Sequence, residues 1–430
     1  MPRELKADAA DFENHFLDLL SSKREASVDV NDTVAEILAD VRQRGDAALL
    51  NYTRRFDRLE LTADELRVTP AEIEAAVAAC NPDSIEALKL AAARITDYHA
   101  RQKPEDLRYT DPVGVQLGHR WTAVEAAGLY VPGGTASYPS SVLMNALPAK
   151  VAGVDRLVMV VPTPDGVLNP LVLAAASIAG VDEIYRVGGA QAVGALAYGT
   201  ETIDPVDIIV GPGNAYVAAA KKQVFGIVGI DMIAGPSEIL VIADGKNNPR
   251  WIAADLLAQA EHDTAAQSIL ITDDADFARA VEQAIAIHLQ TLTRSEIARE
   301  SWEDHGAIIL VDDLEQAVPL TNRLAPEHLE IAVDDPEPLA AKIRNAGAIF
   351  LGRHTAEVIG DYVAGPNHVL PTARSARFSS GLSVLNFMKR TSLISCDAQS
   401  LKAIGPAAVT LAREEGLTAH ALSVSLRLEE

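Results

Sequence analysis

The chain has 430 residues, and its 37 Lys and Arg against 60 Asp and Glu leave a formal net charge of −23. That acidic surplus argues against nucleic acid and against an anionic membrane surface, because both demand clustered Lys and Arg. No apolar run approaches the ~20 residues of a membrane span, the N-terminus lacks an apolar signal-peptide core, and two cysteines, Cys80 and Cys396, cannot build a disulfide framework, so a cytoplasmic compartment is expected.

Residues 1 to about 118 read as helical, with alanine and charge at helical spacing in stretches such as EAAVAACNPDSIEALKLAAARITDYHARQ. The opening DFENHFLDLL reads as a short separate helix, giving an N-terminal arm over residues 1–25. From about residue 126, β-branched runs alternate with alanine-rich helical segments, the signature of βαβ units and a largely parallel sheet. The first runs, AGLYVPGGT, RLVMVVPTP, EIYRVGGAQ and DIIVGPGN, each end in Gly or Pro. Ligands of open α/β sheets bind beyond the carboxyl ends of the strands, so four such loops form a backbone-rich rim suited to a phosphate-bearing ligand. The later runs, EILVIADG, SILITDDA, AIILVDDL, LEIAVDD and AIFLGR, end mostly in Asp, which often serves only to cap the next helix. Two α/β units therefore meet near residue 235: residues 126–235 as one, and 236–380 as the other with 26–125 packed around it as a discontinuous domain. Residues 381–430 form a helical tail.

Four stretches carry candidate chemistry. In NNPRWIAADLLAQAEHDTAAQ, Asn248 caps a helix with Pro249 in its first turn, and the apolar stripe Ile252, Leu256 runs into Gln259, with His262 three residues on. The pair suits a metal, although Gln is a rare zinc ligand and a hydrogen-bonded helix end reads equally well. NRLAPEHLEI sets Glu327 beside His328, two proton acceptors of different aim, in a dipeptide that is common by chance. EVIGDYVAGPNHVLPTARSARFSSGL reads as a long polar loop with Asp361 and His368 as ligand or metal contacts and Arg374 and Arg377 equally well solvated. AREEGLTAH places Glu414 and Glu415 at a helix C-terminus, against the macrodipole, where a solvated end is the plainer explanation. No G-x-G-x-x-G follows a strand and no G-x-x-x-x-G-K-[ST] occurs. Neither cysteine has an adjacent base, so aldehyde oxidation here would proceed without a thiohemiacetal.

Taken together, GLYVPGGTASYPSSVLMNALPAKVAGV, VGGAQAVGALAYGT, VGPGNAYVAAAKKQVFGIVGIDMIAGPSEILVIAD, DLLAQAEHD, NRLAPEHLEI, GDYVAGPNHVLPTARSARFSSGLSV and EGLTAHALSV resemble the histidinol dehydrogenases, in that family's order over residues 126–425. The resemblance implies two incomplete Rossmann-like α/β domains and a C-terminal tail exchanged within a homodimer with shared active sites. It implies oxidation of L-histidinol to L-histidine by NAD through a bound aldehyde, the last step of histidine biosynthesis. Gln259, His262, Asp361 and His420 would hold one Zn2+ per subunit, His420 coming from the partner. His328 would be the general base and Glu327 would activate water. Ser237, His368 and Glu415 would join the zinc residues and His328 around histidinol, and Tyr130, Gln191 and Asn214 would contact NAD. An alternative is a paralogue acting on another small polyol, such as a sulfonated propanediol. A non-catalytic zinc-stabilised scaffold would leave Glu327 and His328 without a purpose.

Overall fold

Every apolar run singled out beyond residue 126 forms a strand of one of two parallel sheets. The computed structural model describes residues 2–21, 30–133, 138–233 and 235–429; the expected boundary at residue 25 and part of the loop after Tyr130 lie outside them. One sheet runs Glu183–Tyr185, Arg156–Val160, Ala126–Tyr130, Ile208–Val210, Gly229–Ile230 across its width, all parallel. The other runs Arg3–Lys6, Ala307–Leu310, Gln267–Thr272, Glu238–Ala243, His328–Ala332, Ala348–Leu351, again all parallel. Strands Ala126–Tyr130, Glu238–Ala243, Gln267–Thr272 and His328–Ala332 are buried along their whole length, as strands covered by helices on both faces must be. The α/β architecture expected from the sequence is borne out.

Three expectations are corrected. Residues 26–125 do not gather around the later unit. Helix Asn31–Arg44 puts Val34, Ile37, Leu38 and Val41 into one core with Tyr130, Val158 and Leu196 of the earlier unit. Helix Pro82–Ala100 puts Ala91, Ala92 and Ile95 into a core with Leu143, Leu147 and Met159 on the opposite face of the same sheet. A helical apolar stripe states that a face must be buried, not which sheet buries it. The N-terminal arm is also not wholly helical: Arg3–Lys6 is an edge strand, anchored by Arg3 N–H donating to Gly306 O at 2.9 Å, and helix Phe12–Ser21 packs Phe16 and Leu19 behind it. Finally, Leu107–Thr110, Gln116–Ala123 and Met388–Ser395 make a three-stranded antiparallel sheet that joins the tail to the region before the first parallel strand. Its middle strand is only half-buried, so it lacks the apolar run that reveals a parallel strand.

The tail then forms two helices, Ala398–Glu414 and Thr418–Leu428. They approach closely at Gly405, where a Cβ would lie 3.1 Å from Val424 and 3.2 Å from Leu428. The two parallel sheets are tied together by the segment after Tyr362: Asn367 Nδ2 donates to Met144 O at 2.6 Å, and Gly235 N–H donates to Thr372 Oγ1 at 2.6 Å.

Candidate active site

Helix Ala317–Leu324 stops at Ala325, whose left-handed backbone (φ 47°) turns the chain into Pro326 and then strand His328–Ala332. Glu327 and His328 thus stand at the amino end of a central strand, opposite Ile239 and Ala348. This is the opposite end from the carboxyl-end rim expected of the earlier sheet. His328 is buried, with Nδ1 3.0 Å from Glu238 O. A carbonyl only accepts, so Nδ1 carries the proton and Nε2 keeps its lone pair. Nε2 has no hydrogen-bond partner among the described residues and lies 3.5 Å from Glu357 Oε1 and 3.7 Å from Asp361 Oδ1. Burial lowers the His328 pKa despite the attraction of Asp361, so the ring is neutral at pH 7.

Glu327 is buried beside it, its Oε2 accepting from Glu238 N–H at 2.9 Å and lying 3.7 Å from His328 Nδ1. Burial, reinforced by the nearby carboxylates Glu238, Glu357 and Asp361, pushes its pKa well up. A carboxyl so raised can take a proton near neutral pH, the property a water-activating base needs.

Around this pair gather groups with unused lone pairs. The Ile252–Leu256–Gln259 stripe is buried as the sequence reading required, and Asn248 caps the helix through Arg250 N–H at 3.0 Å. Gln259 is 1% exposed, and its Oε1 has no partner among the described residues. His262 follows the helix end, its N–H donating to Gln259 O at 3.2 Å. The residue is exposed, yet burial of its ring lowers its pKa, with the Arg294 guanidinium adding to the effect. Asp361 is pushed up to about 7 by burial and by Glu357, and Glu357 up to about 8 by burial and by Asp255. Ligand atoms of His328, Glu357 and Asp361 lie within 4.8 Å of one another. Unpartnered, buried acceptors such as Gln259 Oε1, His328 Nε2 and Glu357 Oε1 are what a divalent cation satisfies, so the residues gathered here could hold a metal ion.

Sequence reasoning missed Glu357, Glu330 and Asp255. Glu357 and Asp361 share helix Glu357–Tyr362 at the i, i+4 spacing, a readable signal inside a stretch taken for loop. That stretch is corrected accordingly: Asp361 is helical, and Ser375–Arg377 forms a 3-10 turn. Glu330 accepts from Glu357 N–H at 2.7 Å and is hydrogen-bonded to Asp255, so those two carboxyls share a proton.

His368 joins the two units. Its Nδ1 donates to Asp361 O at 3.0 Å, and its Nε2 lies 3.3 Å from Ser141 Oγ, in the first turn of the helix that follows strand Ala126–Tyr130. Burial pushes its pKa down to about 4. The carboxyl rim of the earlier sheet therefore faces the Glu327–His328 site. On that rim, the buried Tyr130 hydroxyl accepts from Gly189 N–H at 3.0 Å, and burial raises its pKa to about 12. Gln191 is buried on helix Gly189–Tyr198, with its Oε1 unpartnered among the described residues. Asn214 is exposed and caps helix Ala215–Val224 through Tyr216 and Val217 N–H. Ser237 immediately precedes strand Glu238–Ala243. Glu415 and His420 lie exposed on the tail helices. Cys80 Sγ donates to Ala76 O at 3.2 Å, and Cys396 is exposed beside the tail.

Residues 20–428 match the family model described as histidinol dehydrogenase. The chain is 68% identical over 429 residues to a histidinol dehydrogenase of Rhodospirillum rubrum, covering 100% of this chain and 99% of the relative. A Brucella suis histidinol dehydrogenase is 67% identical, with both chains fully covered. The crystal structure of histidinol dehydrogenase from Elizabethkingia anophelis superposes with a TM-score of 0.95 at 37% identity, covering 100% of this chain and 98% of that one.

Proposed function

The chain belongs to the histidinol dehydrogenase family of oxidoreductases, and from that premise we propose that it oxidises L-histidinol to L-histidine in two NAD-dependent steps at the Glu327–His328 site, closing histidine biosynthesis. One observation carries the reading: His328 is locked with Nδ1 protonated against Glu238 O, leaving a neutral, unpartnered Nε2 inside a polar pocket beside a buried carboxyl.

In the first step His328 Nε2 accepts the alcohol proton as hydride leaves the carbinol carbon. In the second, Glu327 takes a proton from water, which adds to the aldehyde, and a second hydride leaves the hydrate. Two NAD+ and one water are consumed, giving two NADH, the carboxylate and three protons, which leave through His328, Glu327 and solvent. NAD supplies the hydride acceptor, on the rim formed by Tyr130, Gln191 and Asn214. Gln259, His262 and Asp361, with His420 from the tail of a second copy, would hold zinc, which when bound supplies a Lewis-acidic point for orienting substrate nitrogens. Gln259 Oε1, buried and unpartnered, is the residue-level support for that assignment. Ser237, His368 and Glu415 line the substrate, the Glu415 carboxylate matching a cationic amine. His368 acts mainly by its shape and polarity, since both its nitrogens are already engaged.

The test is the NADH yield of purified, zinc-loaded protein on L-histidinol. The expected ratio is about two per substrate, with L-histidine as product and activity lost on chelation and recovered with zinc. Folded, metal-loaded protein that ignores histidinol but oxidises another small polyol would overturn the substrate assignment.

A further inference from the structure

The catalytic scheme leaves unused one fully buried ion pair. Lys221, on helix Ala215–Val224, and Asp231, just beyond strand Gly229–Ile230, have side chains only 3% and 1% exposed and are in direct contact. Both groups close on a single residue. Lys221 Nζ donates to Gly211 O at 2.9 Å, and Asp231 Oδ2 accepts from Gly211 N–H at 2.8 Å. Asp231 Oδ1 also accepts from Met232 N–H at 2.6 Å. One ion pair thus holds both the donor and the acceptor of one residue.

Gly211 is an unusual residue to hold. It follows strand Ile208–Val210 directly, its φ is +111°, and a Cβ there would lie 2.1 Å from Tyr130 O. Three residues on, Asn214 caps the helix that carries Lys221. The chain therefore runs in a closed circuit: strand end, Gly211, Asn214, helix, Lys221 and back to Gly211. Gly211 also lies against the backbone of Tyr130, whose hydroxyl in turn receives the Gly189 N–H.

We infer that the Lys221–Asp231 pair is a positioning device for the cofactor rim, fixing the loop 211–214 so that Asn214 and Tyr130 keep their places for the nicotinamide dinucleotide. The inference rests on the reading of this rim as the NAD side. Desolvation offsets most of the Coulombic gain of a buried ion pair, so apolar or neutral replacement of both partners is often tolerated by the fold. Direction is what the pair supplies and a neutral pair does not: two charge-assisted bonds aimed at one residue. Loss of that aim leaves the fold standing and loosens the loop, and a loosened loop must be ordered again at the expense of binding.

The experiment uses the full-length, zinc-loaded protein and the double variant Lys221→Met/Asp231→Asn, in which the asparagine oxygen still accepts from Gly211 N–H. KM for NAD is expected to rise about tenfold, while KM for L-histidinol, kcat at saturating NAD and zinc content stay within about twofold and unfolding remains cooperative. Lys221→Gln/Asp231→Asn, which keeps a donor for Gly211 O and leaves no buried charge unpaired, is expected to raise KM for NAD about fourfold and serves as the readout should the first double variant fail to fold. Asn214→Ala is measured alongside. A folded Lys221→Met/Asp231→Asn variant, or Lys221→Gln/Asp231→Asn in its place, with NAD KM within about twofold of the parent overturns the inference if Asn214→Ala does raise that KM. If Asn214→Ala also leaves NAD KM unmoved, the cofactor reading of the rim is what has failed, and the inference falls with it.

Discussion

His328 and Glu327 are neighbours in sequence, and a single backbone residue sets both: Glu238 offers its carbonyl to the imidazole and its N–H to the carboxyl. The imidazole thereby keeps a free lone pair and the carboxyl is held apart from it, which would let two proton acceptors serve the two steps proposed. Burial depresses the pKa of His328 and raises that of Glu327 well above the ordinary carboxylate range, so Glu327 stays protonated to higher pH than a free carboxyl and must lose that proton before it can act. Aldehyde oxidation is accordingly expected to rise with pH until Glu327 is ionised. Glu327→Gln should flatten that rise and lower aldehyde turnover by about 10²–10⁴-fold, with a smaller loss in the alcohol step, as read from single-turnover NADH formation on each substrate. Equal losses in both steps would remove the water-activating role. Metal-free protein should show the same carboxyls in its stability. Asp361 and Glu357, at about 7 and about 8 in the folded chain, bind protons more tightly folded than unfolded, so their contribution is complete at low pH and is lost as pH rises through those values. His368 acts in the opposite sense, but only between about 4 and its ordinary value near 6.5. Between pH 6.5 and 8.5 the thermal midpoint of the metal-free protein should therefore fall, and Asp361→Asn should reduce the fall; an unchanged slope would separate Asp361 from it.

Helix Glu357–Tyr362 has six residues, too few to persist alone in water. It is held by Glu330, two residues along the strand from His328 on the same face, whose carboxyl caps Glu357 N–H. Because Glu330 is also bonded to Asp255, on the helix that carries Gln259, one carboxyl pair ties together the elements bearing Gln259, His328 and Asp361. Glu330→Leu leaves a buried N–H unpaired and is expected to cost about 1–3 kcal/mol and to lower zinc content, whereas Glu330→Gln, which keeps an acceptor, should retain both. Denaturant unfolding and metal analysis of the two variants check this. At this scale much was legible. Gln259 announced itself because a polar residue continued an apolar stripe, and nine of the eleven described parallel strands because strands covered on both faces carry apolar runs. Glu357 did not, because the glycines and prolines around it read as loop and the acceptor that caps its helix lies 27 positions away in sequence. The half-exposed strands Gln116–Ala123 and Met388–Ser395 carry no such apolar run, and the attachment of helix Asn31–Arg44 to the earlier sheet depends on tertiary contacts that no local pattern encodes.

In the whole molecule, the tail's His420 is exposed and is not among the described side chains that meet at His328, Glu357 and Asp361, the site to which the family resemblance assigns it. The tail's two helices pack on each other at Gly405, yet Leu411, Leu422 and Leu426 remain more than half exposed, as does Ile394 on the strand before them. Apolar side chains left this open on a pair of helices are the kind a partner surface can cover. His420 and Glu415 sit on that same segment, exposed, while the Gln259, His262 and Asp361 side of the site is supplied by the body of the chain. A symmetric dimer that lays each tail over the other body answers both needs with one contact, since a two-fold interface makes each contact twice. This arrangement has a consequence that a tail folded back on its own body lacks. His262→Asn inactivates the body half of a site, and His420→Asn the tail half. Each homodimeric variant should be inactive, having both sites broken either way. In a mixed dimer with exchanged tails, the body with intact His262 receives the tail with intact His420, so one site of the two is whole. Random mixing after dissociation and reassembly should therefore recover about a quarter of the parent activity, half of the dimers being mixed and half of their sites intact. With unexchanged tails every site keeps its own lesion and mixing restores nothing. Activity measured on tagged, purified mixed dimers, where about half of the parent value is expected from exchange, separates the two arrangements without reliance on the mixing ratio.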